Sequence, residues 1–296
     1  MDLGEIDLDH TLGCGQVFRW QKERGFWTGI VDGKLVRLRR RGRAIDAETE
    51  LSTKRLERYF RADDDLGTIH REIATDEYVR SLVKRYPGLR LIRQDPWECS
   101  ASFVLATFSN IPRIKMMIER ICRTYGTEIE GGRFAFPTPR QILENEAGAE
   151  DCGLGFRCGR FVAFARRVQC GEVDFDGLRA ASYESSHHAL VELEGIGDKV
   201  ADCIAVFSLD HLDAFPIDVR IKRVLEARYD AAGTYKKMST FARQHFGRFC
   251  GYSQEYIYYA EDAQNQSKVE NQAAKIIRSG SSRIAGHGPR CGSHRP

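Results

Sequence analysis

The sequence predicts an α+β fold: an N-terminal antiparallel β-sheet domain packed on an all-α domain. Three observations predict it. Residues 16–45 alternate apolar and polar side chains around a strong hairpin turn. The hydrophobic period changes to a helical one from about Leu56. The second half is a series of capped amphipathic segments joined by short connections.

In the sheet region, Gln16 to Trp20 alternates, Phe26 to Val31 follows a break at Arg24-Gly25, and Lys34 to Arg39 follows Asp32-Gly33. An Asp-Gly pair supplies the two positive-φ positions of a tight hairpin. Arg37 to Arg43 form a basic edge, readable as a DNA-facing surface or as a solvated edge strand blunted by charge. Helical spacing then runs through Tyr78–Val83 and from Trp97 to Ala106. Ile111 to Arg123 is amphipathic, with Ile114, Met117, Ile118 and Ile121 on one stripe. Thr138-Pro139 is a helix start, a capping residue followed by a proline that needs no amide donor. Further helices are expected at 139–146, 158–171, 184–193, 198–208, 219–228 and 238–260. The expected organisation is a sheet domain with helices over 1–95, a helical domain over 96–265 and a basic, disordered tail over 266–296.

The 296 residues are 42% hydrophobic and 29% charged, as in a globular chain. No apolar run is long enough to span a membrane, and the first ten residues carry acids rather than a leader's apolar core. The expected compartment is the cytoplasm with its nucleoid, or a nucleus in a eukaryotic source. The nine cysteines are scattered without a CxxC pair, so they read as reduced, packed thiols rather than metal ligands. No metal or organic cofactor is implied, and a monomer suffices. The net charge of +3 is concentrated in residues 266–296, with six Lys/Arg against one Glu; the first 265 residues hold 39 bases and 41 acids. Any nucleic-acid site on the body must therefore be a local basic surface.

The chemistry-bearing stretch is Leu193-Glu194-Gly195-Ile196-Gly197-Asp198-Lys199-Val200-Ala201-Asp202. One apolar helix ends and another begins across a Gly-x-Gly turn, with Ile196 free to plug between them. The turn aims backbone N–H groups at the N-terminus of the second helix, an anion site suited to a DNA phosphate. This is a helix-hairpin-helix signature. Lys199, in the first turn of the second helix, reads as a phosphate-binding lysine or as a nucleophile. Asp218, nineteen residues later, lies in Phe215-Pro216-Ile217-Asp218-Val219-Arg220. Pro216 stiffens the approach, and Asp218 can cap the next helix or serve as a charged partner to the lysine.

Together these two motifs resemble the helix-hairpin-helix DNA glycosylase superfamily. The match extends to its 8-oxoguanine glycosylase branch. Leu12-Gly13-Cys14-Gly15-Gln16-Val17-Phe18-Arg19-Trp20, Gly153-Leu154-Gly155-Phe156-Arg157, Val200-Ala201-Asp202-Cys203 and Gly251-Tyr252-Ser253-Gln254 with Tyr258 each resemble a segment of that branch, in order, from about residue 12 to 265. A C-terminal four-cysteine cluster, typical of the related endonuclease III branch, is missing.

The resemblance implies an enzyme acting on double-stranded DNA that flips a damaged base from the helix. Lys199 would attack C1′, form a Schiff base and permit β-elimination, and Asp218 would stabilise the positive charge developing on the sugar. A free lysine titrates near 10.4 and is protonated at neutral pH, so its surroundings must favour the amine. Loss of either residue should cost several kcal/mol of transition-state stabilisation. The resemblance also places the lesion between Cys203 and Tyr258, beside Pro216, with Gln254 on its Watson–Crick edge and the Gly15 carbonyl accepting N7–H of oxidised guanine. Gly195, Gly197 and Val200 would line the phosphate site, and Arg220 would grip a phosphate where the family often has histidine. Arg113 and Arg157 match arginines that read the opposite cytosine. Of the family's Asn triplet only Asn110 is present; Phe108-Ser109 replace the rest, so Phe108 would wedge the duplex by stacking. An alkylated-purine glycosylase and a non-catalytic helix-hairpin-helix module are the competing readings.

Overall fold

The protein is described by a computed structural model covering residues 3–42 and 44–263; the tail at 266–296 lies outside the described residues. The fold class is the expected one. A short helix, α1 (Leu8–Gly13), leads to four strands, β1 (Gln21–Glu23), β2 (Phe26–Val31), β3 (Lys34–Arg41) and β4 (Ala44–Thr49), paired antiparallel in chain order. Arg24-Gly25 and Asp32-Gly33 form the two-residue turns, with φ of 49°, 81°, 50° and 69°. These are the two positive-φ positions that the right-handed twist of adjoining strands favours.

Helices make up most of the rest: α2 (Thr53–Tyr59), α3 (Leu66–Ile73), α4 (Glu77–Arg85), α5 (Pro96–Leu105) and α6 (Ile111–Tyr125). A small hairpin, β5 (Glu128–Ile129) and β6 (Arg133–Phe134), precedes α7 (Pro139–Leu143), α8 (Gly148–Asp151) and α9 (Arg157–Gln169). Then come α10 (Phe175–Ala180), α11 (Tyr183–Val191), α12 (Asp198–Ser208), α13 (Val219–Tyr229), α14 (Tyr235–Phe246) and α15 (250–263). Thr138 caps α7 in a full capping box with Gln141, as the Thr-Pro pair predicts. No described helix is long and apolar enough to cross a membrane.

Three details correct the reading of the sequence. Gln16 to Trp20 is not a strand. Its side chains serve two cores: Val17 and Trp20 enter the core beneath the sheet, whereas Phe18 enters the helical core. The alternation reflects that bridging rather than a ladder. The basic run at Arg37–Arg41 is not an edge, because β4 pairs beside it. Arg37 bonds Glu48, Arg39 and Arg41 bond Asp46, and Arg37 and Arg39 lie over Phe26. Those charges are matched within the sheet. The helix expected at 238–260 is two helices, because Gly247 adopts φ 74°, ψ −162° and a 3₁₀ turn, Gly247–Phe249, separates them.

Of the eight described cysteines six are buried, and all eight are free thiols. Helix α5 runs through the helical core, and its residues from Cys99 to Leu105 are all buried. A helix buried on every side needs no amphipathic stripe. Around it pack α12 and α9. Electrostatics tie the N-terminal part to the end of α12. Arg61, 1% exposed, pairs with Asp210 at 2.7 Å, and so does Arg93. Burial pushes the Asp210 carboxyl up, but Arg61, Arg93 and Arg179 more than offset it and hold it below the ordinary carboxylate range.

Gln16 joins α1 to the segment before α5. Its Nε2 donates to the carbonyls of Thr11 and Arg90, each at 2.9 Å, and its Oε1 accepts from Ile92 N–H at 2.8 Å. Gln16→Ala would strand three buried backbone groups. It should lower the unfolding free energy by about 3 kcal/mol, measured by urea denaturation; a change under about 0.5 kcal/mol would contradict this account of the junction.

Candidate active site

The hairpin forms as expected. Leu193 and Ile196 are buried between α11 and α12, and Ile196 N–H closes the turn on Leu193 O at 3.0 Å. Gly195 has φ 86°, and a methyl group there would meet Arg160 Cδ at 3.0 Å. Both facts require glycine. Gly197 is the extended N-cap of α12 and offers no side chain to the helix. The N–H groups of that first turn are thus left for an external anion. A groove of about 650 Å³ runs along the turn, lined by Phe108, Arg160, Gly195, Gly197, Lys199 and Val200 among others.

Lys199 is half-buried, and its Nζ sits 5.1 Å from the centre of the Phe103 ring. One turn later Cys203 is 2% exposed; burial pushes its thiol up to about 11 although Lys199 hydrogen-bonds it. Asp218 caps α13: its Oδ1 accepts from the N–H groups of Arg220 at 2.9 Å and Ile221 at 2.8 Å. Capping, one of the two roles expected of Asp218, is thus observed. Pro216 lies in the buried run Ala214–Ile217 that delivers Asp218.

A second cluster of predicted site residues comes from α15 and the loop after α1. Gly15 has φ 94°, and a methyl group there would stand 3.2 Å from Ile111 Cδ1 and 3.5 Å from Tyr258 Cε1. Tyr258 lies 5.3 Å beneath the Arg220 guanidinium, which also bonds Asp262 at 2.5 Å. Gln254 is 4% exposed with its Oε1 buried and unpartnered. Beside it, Glu255 is 2% exposed with its Oε1 buried and unpartnered, and burial raises its carboxyl to about 7.

At the mouth of the groove, Phe108 is 90% exposed with φ 50°, and Phe156 lies 6.5 Å away, centre to centre, and 57% exposed. Arg157 is buried. Its guanidinium donates to Thr107 O at 2.7 Å, Phe108 O at 2.9 Å and Leu154 O at 3.3 Å, and lies 4.3 Å from the Phe156 ring centre. It braces the loop that presents Phe108. Asn110 caps α6 by accepting from Arg113 N–H at 3.0 Å. The Arg113 side chain is exposed, near enough to Arg157 to disfavour a second charge there.

One buried network sets the spacing of lysine and aspartate. Asp202, on α12, is wholly buried and accepts from the hydroxyls of Tyr183 (2.6 Å) and Tyr235 (2.5 Å). The Tyr235 hydroxyl in turn accepts from Ile217 N–H at 3.2 Å, the residue before Asp218. Asp202, Tyr235, Phe103, Phe156 and Glu255 are the residues that sequence reasoning missed. An acid inside an apolar helix, as in Ala201-Asp202-Cys203 and Gln254-Glu255-Tyr256, was the available signal for two of them; the aromatics look like any core residue. Tyr235→Phe should destabilise the protein by about 2 kcal/mol, because two buried groups lose a partner, and should slow catalysis by more than it weakens DNA binding. Parallel measurement of thermal unfolding, single-turnover rate and DNA affinity checks this.

Similarity to known proteins fits the geometry. The profile of the family described as 8-oxoguanine DNA glycosylase, N-terminal domain, matches residues 1–99. A probable N-glycosylase/DNA lyase of Methanothermobacter thermautotrophicus is 26% identical, over 86% of this chain and 93% of its own length. The 8-oxoguanine glycosylase/lyase of Clostridium acetobutylicum, solved free, superposes with a TM-score of 0.82 at 31% identity, over 86% of this chain and 92% of that one. Solved with double-stranded DNA carrying cytosine opposite 8-oxoguanine, it gives the same TM-score at 30% identity, over 88% and 93%. A 3-methyladenine DNA-glycosylase of Archaeoglobus fulgidus, 20% identical with a TM-score of 0.71 over 87% of this chain and 96% of that one, shares the fold. This chain therefore belongs to the helix-hairpin-helix glycosylase superfamily, in the branch with the 8-oxoguanine glycosylase/AP-lyase fold, and is a DNA-binding enzyme that excises damaged bases.

Proposed function

We propose that the excised base is 8-oxoguanine, and that Lys199 removes it by direct attack on C1′. The observation that carries this reading is the cluster formed by α15 and the loop after α1. Gly15 is held against Tyr258, and the neighbouring Gln254 carries a buried acceptor with no partner inside the protein. An unsatisfied buried acceptor is costly unless a ligand completes it. The Watson–Crick edge of a guanine-type base supplies such a donor, and a backbone carbonyl at Gly15 can distinguish N7–H of the oxidised base from the bare acceptor N7 of guanine. The alkylated-purine reading is less well supported by the chemistry. A cationic alkylated base leaves readily, whereas a neutral oxidised base calls for a positioned nucleophile.

The flipped nucleotide would be held by its phosphate at the Gly195–Gly197 turn, near Val200, while Phe108 and Phe156 occupy the disturbed stack. Lys199 attacks C1′ as the amine and the base departs with the bonding pair. The adduct opens to a Schiff base, and loss of the 2′ proton expels the 3′ phosphate. Asp218 opposes the positive charge that builds on the sugar. Cys203 and Tyr258 would flank the base, with Pro216 behind it. Arg113 is free to reach the strand opposite the lesion; Arg220, already fixed by Asp262, would steady a phosphate beside Tyr258. Arg157 would contact that strand's cytosine only by releasing carbonyls of its own loop.

Two variants test the reading. Lys199→Gln should abolish the borohydride-trapped adduct on a duplex carrying 8-oxoguanine opposite cytosine and lower excision by about three orders of magnitude, while still binding the duplex. A variant that traps normally would remove Lys199 from the reaction. Asp218→Asn keeps a competent helix cap, so its unfolding temperature should stay near that of the wild type while excision falls by roughly a hundredfold or more. Equal losses of stability and rate would instead mark Asp218 as a cap alone.

A further inference from the structure

We infer that Arg160 is a ligand for a backbone phosphate of the bound DNA: its guanidinium stands unpaired beside the Gly195–Gly197 turn and joins the turn's N–H groups in gripping the strand. The inference rests on the phosphate-binding role proposed for that turn, and not on which base is excised.

Arg160 lies in the first turn of α9, on the wall of the groove that also holds Lys199. Its stem crosses the hairpin. A methyl group on Gly195 would meet Cβ and Cγ of Arg160 at 3.3 Å and Cδ at 3.0 Å. The glycine that the turn demands thus also makes room for this side chain. The far end lies against the exposed Phe156 ring, with the guanidinium carbon 5.6 Å from its centre. A half-buried side chain packed along its stem has less freedom to lose when it meets a ligand.

The head of that side chain has no counter-charge. Among the described residues it makes no ion pair and no hydrogen bond, although Glu192, Glu194 and Asp198 line the same groove. Arg167, also on the groove, is by contrast paired with Glu172 at 2.8 Å. Arg157 shares the Phe156 ring, 4.3 Å from its centre, and donates to three neutral carbonyls that leave its charge unmatched. Two guanidinium groups therefore converge on one ring, in a helical turn that contains no acidic residue. That end of a helix disfavours cations, so neither arginine serves the helix by its charge. A bound anion relieves both the dipole and the mutual repulsion. A guanidinium suits a phosphate because it presents two parallel N–H groups to two oxygens. The first 265 residues hold 39 bases and 41 acids, so DNA must find a local basic surface on this body. The ring of Phe156 with its two arginines is such a surface.

The test is the salt dependence of duplex binding by the full chain. Each neutralised phosphate releases condensed counterions, so the slope of log affinity against log salt reports the number of such contacts. Arg160→Met keeps an apolar stem over Gly195 and removes the charge. It should lower that slope by about one and weaken binding by about tenfold at moderate salt. The loss should be equal for damaged and undamaged duplexes, because a phosphate carries no base information. Arg160→Lys keeps a charge without the planar fork, and should retain the wild-type slope with intermediate affinity. For both variants the single-turnover excision rate at saturating enzyme and the unfolding temperature should stay near wild type. An unchanged slope in Arg160→Met would overturn the inference, as would a loss of slope in Arg160→Lys equal to that in Arg160→Met, or a loss of affinity confined to the damaged duplex. A wild type whose binding is independent of salt would instead bring down the phosphate-binding reading of the turn, and this inference with it.

Discussion

The geometry of the site depends on one buried carboxylate that is not itself in the reaction. Asp202 lies on the same helix as Lys199, almost one turn further on, and is closed off from water by the hydroxyls of Tyr183 and Tyr235. Burying a carboxylate is unfavourable, and burial pushes this one above its ordinary range even with two donors on it. What the arrangement provides is a fixed distance. Tyr183 belongs to the first helix of the hairpin and Tyr235 to α14, so α12 cannot slide along either neighbour without breaking a short bond. Tyr235 also holds Ile217 N–H. The lysine and the aspartate come from different helices, yet each is a few bonds from the same phenol oxygen.

A similar economy governs the DNA-facing surface. The hairpin offers backbone N–H groups, which carry no sequence preference and need no side chain to be ordered on binding. Opposite it, Phe108 is held in a left-handed conformation and almost fully exposed, a costly state for an aromatic residue. The Arg157 guanidinium, engaged on the carbonyls of Thr107 and Phe108, accounts for its persistence. The loop is thus preorganised, so less order must be imposed when the duplex is opened. An arginine buried under its own loop and an exposed aromatic pair at the tip make that surface preorganised.

Helix α15 places side chains of three different kinds close together. Gln254, Glu255 and Tyr258 lie within a little more than one turn of α15: the first two each carry a buried, unpartnered oxygen, and the third lies against Gly15. The aromatic neighbours Tyr252 and Tyr256 point into the core, where their hydroxyls meet Asp64 and His70. The aromatic richness of this helix therefore has two causes, packing on one side and the pocket on the other.

Much of this was legible in the sequence because it is local. The Gly195-Ile196-Gly197 turn, the Thr138-Pro139 start, the Asp32-Gly33 hairpin and the cap at Asp218 each depend on a few neighbouring residues and their allowed backbone angles. The order of those motifs was enough to indicate the family. The places where the reading failed are non-local. Gln16 to Trp20 alternates like a strand but divides its side chains between two cores, and no local pattern separates those cases. The arginines of β3 looked like an edge because the strand beside them, rich in small and acidic residues, has little hydrophobic signal. Phe103 is one more core phenylalanine until the fold sets Lys199 above it. The sequence by itself thus determined most of the elements, the hairpin, and the positions of the lysine and aspartate proposed to carry the chemistry. Only the tertiary structure decided that Asp202 and Tyr235 link α12 to the segment before Asp218, and that Arg157 braces a loop. Burial and distance between residues far apart in the chain are properties of packing, and packing has no local code.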